Sequence, residues 1–370
     1  SYWRHWVNKE ELNFGNLPTD VVGLFKRSLL TLMTQIDSGG AIIAANDSDI
    51  KQFAKDTYSY MWPRDGALVS YALMKAGYTT TCRNFFDFCA HVIAPYNFCA
   101  SVMGENGFLL HKYNPDGSFG SYWHPWVKGE EIHVPIQEDE TALLLWVIGQ
   151  YYHLYRRMDE IRPLYHSFIE KAADFLVSYR DEQTGLPLPS YDLWEERRGI
   201  LSFTTATVYG GLMAAANISD IFYHTEKSTL YRKTAAQIKK AIDQYLYSEK
   251  HERFLRMIYP KKDGGYEIDA TIDASLYGMF AFGVYEPTDI KIQNTMKAIE
   301  ESLWVKTNIG GIARYEHDQY QRVGNDDAIP GNPWIICTMW LAQYYVSTAK
   351  SVEDLERVVN YLRWTVSRAL

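Results

Sequence analysis

The chain of 370 residues is 47% hydrophobic and 22% charged, a balance that can bury a large core and excludes a disordered composition. Its 45 acidic and 37 basic residues leave a net charge of −8 with no basic stripe, which argues against nucleic acid and anionic membranes as partners and for a neutral substrate. No stretch has the apolar length of a membrane span, and Ser1-Tyr2-Trp3-Arg4-His5-Trp6 does not resemble a signal peptide, so the cytoplasm is slightly favoured as the location. Aromatic residues reach 15%, including 28 Tyr and 11 Trp; this suits a carbohydrate cleft, where rings stack on sugars, or else a large aromatic core. Cys82, Cys89, Cys99 and Cys337 form no CxxC pair and no His/Cys cluster at metal-ligand spacing. Free buried thiols are expected, with no metal and no cofactor.

Residues 1–17 read as an irregular lead-in, ending before Pro18, where a helix can start. Val22, Phe25, Leu29, Leu32 and Ile36 then recur at helical spacing until Gly39-Gly40 stops the pattern. Helices are predicted over 66–76 and 80–94, separated by Gly77. Between Gly104 and Trp126 short runs flank Pro115-Asp116-Gly117, which predicts a turn and a small hairpin. The segment 138–156 is apolar almost all round, as a helix buried on most sides would be. Further helices are predicted over 159–180, 202–223 and 228–247, the last with Leu230, Ile238, Ile242 and Tyr245 on one stripe, as in an outer, half-exposed helix. A second hairpin signal lies at 254–268 around Asp263-Gly264-Gly265. Helical patterns return at 270–283, 288–303, 334–348 and 352–369, where Ser351 and Asp354 are spaced as a capping box.

The alternation of nearly all-apolar and amphipathic helices predicts two concentric layers of helical hairpins, an all-α toroid with small β-hairpins in its loops. A single-layer solenoid is the alternative, and no repeat of fixed period supports it. Roughly eleven helices are predicted where six hairpins would need twelve.

Between the turn-prone Leu186-Pro187-Leu188-Pro189-Ser190 and the helix at 202–223 lies Tyr191-Asp192-Leu193-Trp194-Glu195-Glu196. Two adjacent carboxylates beside a tryptophan suit a loop aimed into a pocket. Cleaving a glycosidic bond needs a carboxyl group still protonated near neutral pH, and a neighbouring carboxylate or apolar ring raises a carboxyl pKa. The alternative is that Glu195-Glu196-Arg197-Arg198 is a solvated charge run.

Several stretches together resemble glycoside hydrolase family 15, the glucoamylases and their prokaryotic relatives. Tyr58-Ser59-Tyr60-Met61-Trp62-Pro63-Arg64-Asp65 is similar to the family's aromatic segment ending in Trp-x-Arg-Asp, and Gln137-Glu138-Asp139-Glu140 to its second segment. Asp192-Leu193-Trp194-Glu195-Glu196 resembles its acid-bearing loop. Gly310-Gly311-Ile312-Ala313-Arg314-Tyr315, followed by Gly331-Asn332-Pro333-Trp334, resembles its fourth. His111-Lys112-Tyr113-Asn114-Pro115-Asp116-Gly117 is closer to the bacterial and archaeal members than to the fungal ones. The resemblance implies an (α/α)6 barrel over residues 18–370 and an exo-acting, inverting α-glucosidase of glucoamylase type, releasing glucose from non-reducing ends of α-glucan or malto-oligosaccharide chains. Trehalase and glucodextranase of the same family are alternatives, as is a non-catalytic glucan-binding or regulatory module.

Carried over by position, the resemblance makes Glu195 the general acid and Glu196 a ligand of the sugar on the leaving side. Arg64 and Asp65 would hold hydroxyls of the terminal glucose, with Trp62, Trp194, Arg314, Trp334, Gln137 and Glu140 binding substrate around it. Alternatives are a structural ion pair at a helix start for Arg64-Asp65, core packing for Trp334, and helix N-terminal capping for Gln137 and Glu140. The family's general base lies in a loop after its eleventh helix, and no such loop is found before Leu370. The expectation is therefore a catalytic domain incomplete at its C-terminal end, lacking its last helix and its base, with an upstream β-sandwich domain in the full-length protein.

Overall fold

The protein is described by a computed structural model over residues 2–9, 12–46, 58–93, 106–120, 127–128, 131–132, 134–261, 264–324, 326 and 328–369. Ser1, Cys99, Gly104, Trp126, Asp263 and Leu370 lie outside the described residues. Helices dominate, with short strands between them. Among the described residues, no helix is long and apolar enough to cross a membrane.

The helices are α1 (Tyr2–Val7), α2 (Thr19–Met33), α3 (Pro63–Lys75), α4 (Thr79–Val92), α5 (Glu138–Tyr155), α6 (Met158–Leu164), α7 (Glu170–Ser178), α8 (Ser202–Ile221), α9 (Thr225–Ala241), α10 (Gly278–Ala281), α11 (Ile290–Leu303), α12 (Ile335–Thr348) and α13 (Glu356–Val366). Several expectations change. The lead-in is not wholly irregular, since α1 forms there and Trp6 stacks at 4.3 Å on Tyr78. The helix expected over 270–283 shrinks to a 3-10 turn, Ala274–Tyr277, and the four-residue α10, because Asp273 is extended and accepts the Ser275 N–H, capping a late start. The predicted helix over 159–180 is interrupted by a π-helical turn at Tyr165–Ile169, and α9 ends in another at Ile242–Leu246. The capping box before α13 is present: Ser351 N–H donates to Asp354 (3.1 Å) and Asp354 N–H to the Ser351 hydroxyl (3.3 Å).

The chain divides into two compact units. The first, residues 1–13, 27–191 and 207–238, is built around α3, α4 and α5. Pro63 supplies a preset φ at the first position of α3. Gly66 has no Cβ because one would sit 2.4 Å from the Phe85 ring of α4. Leu143, Leu144 and Leu145 of α5 are fully buried, each stabilising the fold by roughly 1.5–3 kcal/mol. The turn expected at Pro115–Gly117 forms, closed by Asn114 N–H to the Ser118 carbonyl at 2.8 Å.

The second unit comprises residues 14–26, 192–206 and 239–370. Its strands β2 (Met257–Pro260) and β3 (Tyr266–Asp269) form the expected second hairpin, and β1 (Arg198–Leu201) adds antiparallel to β2. A short ladder joins β4 (Ile312–Ala313) to β5 (Pro333–Trp334). Gly311 enters β4 with φ +87°, and a Cβ there would lie 2.3 Å from the Trp364 ring, so only glycine fits. Cys82, Cys89 and Cys337 are free and buried as expected; burial pushes the Cys82 thiol up to about 12 and raises the other two.

Candidate active site

The first unit brings Arg64, Gln137 and Glu140 together where α3 and α5 begin. Trp62, in the extended conformation preferred before proline, leads into Arg64, whose guanidinium is almost fully buried. It donates to Gln137 at 2.7 Å and to Asp139 at 2.9 Å, and lies 3.0 Å from Glu140. Glu140 also accepts the Arg64 backbone N–H, so it caps α3 and not its own helix. Gln137 makes no side-chain cap either. Its oxygen belongs to the arginine.

Burial raises the Glu140 carboxyl pKa well above its ordinary value, against the pull of Arg64 and with help from Asp139 and Asp65. Asp65 makes no ion pair with Arg64 of the kind the sequence left open; Asp139 and Glu140 take that part. Asp65 reaches solvent, yet desolvation is the largest influence on its carboxyl and raises its pKa, with Arg64 opposing. A carboxyl both wetted and crowded has the setting of a recess. Close by in the same unit, the fully buried Lys112 places its ammonium 4.6 Å from the Tyr60 ring and 5.1 Å from the Trp62 ring, an attraction worth about 2 kcal/mol when desolvated.

In the second unit the carboxylate loop is closed on itself by Asp192. Its Oδ1 accepts the N–H groups of Glu196 (2.8 Å) and Arg197 (3.2 Å), and its carbonyl accepts that of Glu195 (2.8 Å). An aspartate bonding the backbone ahead of it is the usual way such a side chain tightens a turn. Within that turn Glu195 is buried and held at φ +58°, the left-handed region a non-glycine residue occupies at a cost.

Glu196 is fixed by two partners, Arg314 at 2.9 Å and the Tyr315 hydroxyl, which donates to its other oxygen. Arg314 is in turn gripped by Asp318 through Nε and Nη2, both at 2.7 Å. The guanidinium lies among aromatic rings, 5.3 Å from Trp194, 5.1 Å from Trp334 and 4.8 Å from Tyr320. Trp334 is half-buried, not a closed core residue, and its ring centre stands 6.3 Å from that of Trp194. The second unit thus brings together Trp194, Glu196, Arg314 and Trp334, with Glu195 between the first two in sequence. These contacts replace the solvated charge run as the account of Glu195 and Glu196.

Sequence reasoning missed several partners. Asp318, fully buried, was hidden because its spacing from Arg314 is meaningful only on a helix, and here it spans a loop. The motif around Tyr315 gives that residue no role. Nothing local in the sequence distinguishes the buried Lys112 from an exposed lysine. The motif around Asp192 does not show that its side chain closes the turn. Among the described residues, no group of three or more His, Cys, Asp or Glu could hold a metal ion; in the first unit the carboxylates surround a guanidinium instead.

Residues 23–366 match the family described as glycosyl hydrolases family 15. An uncharacterized glycosyl hydrolase of Methanocaldococcus jannaschii is 30% identical over 361 residues, covering 96% of this chain and 50% of that protein. A glucoamylase of a Clostridium species is 26% identical, covering 79% and 40%. Trehalase 2 of Sulfolobus acidocaldarius is 25% identical, covering 92% and 57%. The chain thus spans about half the length of the curated relatives it matches. Among solved structures, a glycosidase variant in complex with glucose aligns with a TM-score of 0.73 at 20% identity, over 97% of this chain and 86% of that one. A bacterial glucoamylase complexed with acarbose aligns at 0.69 and 23% identity, over 92% and 50%. The fold is therefore the mostly helical (α/α)6 class of the glucoamylases, with small sheets.

Proposed function

The chain belongs to glycosyl hydrolase family 15, and from that premise we propose that it serves an exo-acting, inverting α-glucosidase of glucoamylase type, releasing glucose from the non-reducing ends of α-glucans. One observation carries the reading: the closed turn that holds buried Glu195 in left-handed backbone beside a Glu196 tied to Arg314 and Tyr315. Strain of this kind persists only where the surroundings enforce it, and it gathers at functional sites.

In this reading Glu195 gives its carboxyl proton to the glycosidic oxygen as the bond to the anomeric carbon breaks. Glu196 and Arg314, already paired, bind hydroxyls of the leaving sugar, with the Trp194 and Trp334 rings offering apolar faces. Arg64 and Asp65 read hydroxyls of the terminal glucose, Gln137 and Glu140 hold Arg64 in place, and the aromatic face of Trp62 is backed by Lys112. Inversion also needs a second carboxylate to activate water, and it is not among the residues proposed here.

Trehalose is the second substrate to test, because a trehalase relative is as similar to the chain as a glucoamylase relative is. Titration calorimetry with acarbose, maltotriose and trehalose, beside glucose release by the whole protein, tests both. Acarbose and maltotriose should bind, and Glu195→Gln should lower glucose release by about 10²–10⁴ while leaving affinity nearly intact. Release within twofold of the parent would remove Glu195 as the acid. Affinity for trehalose alone would replace the glucoamylase reading with the trehalase one.

A further inference from the structure

Behind the carboxylate loop, within the second unit, lies a charged core that none of the roles above uses. Asp273 is 1% exposed. Its carboxylate accepts the Trp194 indole N–H at 3.1 and 3.3 Å and the Ser275 N–H at 2.8 Å. Arg256, 3% exposed, donates through Nε and Nη2 to one oxygen of Asp269. Its Nη1 stands 3.9 Å from Asp273, too long for a hydrogen bond, and has no hydrogen-bond partner among the described residues. Asp192 Oδ2, equally buried, has none either. Both residues line a small cavity of about 10 Å³ whose polar walls are Asp192, Arg256, Asp273 and Ser275, the rest being apolar.

Leaving two atoms of charged groups without a hydrogen bond in the interior is unfavourable. A cavity of roughly 10–15 Å³ with two or more polar partners is the size that takes one water. We propose that Asp273 and Arg256 are positioning residues for the loop Asp192–Arg197, acting through Trp194 and through one water bound between Asp192 and Arg256, and so set where the Glu195 and Glu196 carboxyls point. The inference rests on the reading that this loop carries the acid.

The charge inventory makes the device sensitive to protons. Three carboxylates, Asp192, Asp269 and Asp273, face the single guanidinium of Arg256, which also lies 5.3 Å from the Tyr315 ring. From the loop side the Asp192 carboxylate accepts the backbone N–H groups of Glu196 and Arg197, the Arg197 side chain faces Tyr259, and the buried Cys337 thiol faces Asp273. From the hairpin side the Tyr259 hydroxyl reaches Asp269 at 3.5 Å. Burial is the first cause lifting Asp192 to about 7, with Asp273 adding to it and Arg256 opposing. Burial likewise raises Asp273. The loop's anchor therefore gains or loses a proton near neutrality, and the Trp194 indole, bonded to the neighbouring carboxylate, reports it.

The test follows the Trp194 indole N–H resonance, assigned with Trp194→Phe, from about pH 5 to 9 in the full chain, in Asp192→Asn and in Asp273→Asn. The resonance should titrate in the parent, stay flat in Asp192→Asn, and start from a displaced position in Asp273→Asn, where an acceptor remains but the charge is gone. Acarbose affinity should fall by about tenfold in Asp273→Ala, the equivalent of one lost hydrogen bond, and Asp273→Asn should recover part of it. A flat parent resonance, or an Asp273→Ala protein that binds acarbose within twofold of the parent, overturns the proposal. If the parent binds no acarbose at all, the hydrolase reading fails, and the indole titration still decides the positioning role.

Discussion

The Arg64 cluster of the first unit and the Arg314 cluster of the second both enclose a guanidinium among carboxylates, yet they are built from different materials. Arg64 stands at the start of α3, and its partners Gln137, Asp139 and Glu140 at the start of α5, where the unsatisfied N–H groups and helix dipoles favour negative charge. That end of the unit can hold more carboxylates than cations: Asp65, Asp139 and Glu140 surround one arginine, and Asp65 and Glu140 have raised pKa values as a result of burial. Arg314 has no helix to lean on. Its charge is met by Asp318 and by Glu196, which lies 118 residues away in sequence, while Trp194, Trp334 and Tyr320 cover its faces. Both clusters depend on partners distant in sequence; the difference teaches that helix starts add their own N–H groups and dipoles to such a cluster, whereas a loop site covers its guanidinium with aromatic walls.

The largest test of this contrast is stability. Arg64→Met leaves two fully buried carboxylates without their cation and should cost about 3–5 kcal/mol, read from denaturant unfolding. Arg314→Met should cost less, about 3 kcal/mol, because it strands one fully buried carboxylate, Asp318, whereas Glu196 is 31% exposed and can be rehydrated while the aromatic walls accept the apolar side chain. Equal losses would break the comparison.

A smaller effect sharpens it from the ligand side. Asp65→Ala should weaken binding of the terminal glucose by about 1–3 kcal/mol and leave the thermal midpoint nearly unchanged, since Asp65 is the wetted member of its cluster. A midpoint that drops while maltotriose affinity holds would make Asp65 structural.

The smallest expected effect is on pH dependence. Asp192, lifted to about 7, binds its proton more tightly in the folded protein than in the unfolded chain. Its contribution to stability is therefore fully present at low pH and is lost as pH rises from the ordinary carboxylate range through about 7. Asp65, Asp273 and Glu140, also raised, act in the same direction. In Asp192→Asn the thermal midpoint should fall less steeply than the parent's over that interval. Parallel curves for the two proteins would mean that Asp192 titrates at its ordinary value.

Much of this was legible beforehand. The apolar run Ala142–Ile148 announced a helix buried on most sides, Ser351 and Asp354 announced their capping box, and Asp263–Gly265 announced the hairpin beside it. Periodicity and turn chemistry act over a few residues, so a sequence displays them directly. The expectation for 270–283 failed on the same scale: apolar spacing favoured a helix, but Asp273 keeps its extended backbone because its side chain is committed to Trp194 and Ser275. Tertiary bonding overrode local preference there.

By itself the sequence determined most of the helices, the turns, the family and the residues that bear charge in its motifs. Only the tertiary structure decided which charges meet: that Glu140 caps α3 instead of α5, that Asp139 and not Asp65 takes Arg64, that Asp318 holds Arg314, and that Asp192 shares a cavity with Arg256. The reason is physical. A helix or turn is selected by neighbours along the chain, but a buried charge is stable only where an opposite charge and the right donors arrive from elsewhere in the fold, and that arrival leaves no local pattern to read.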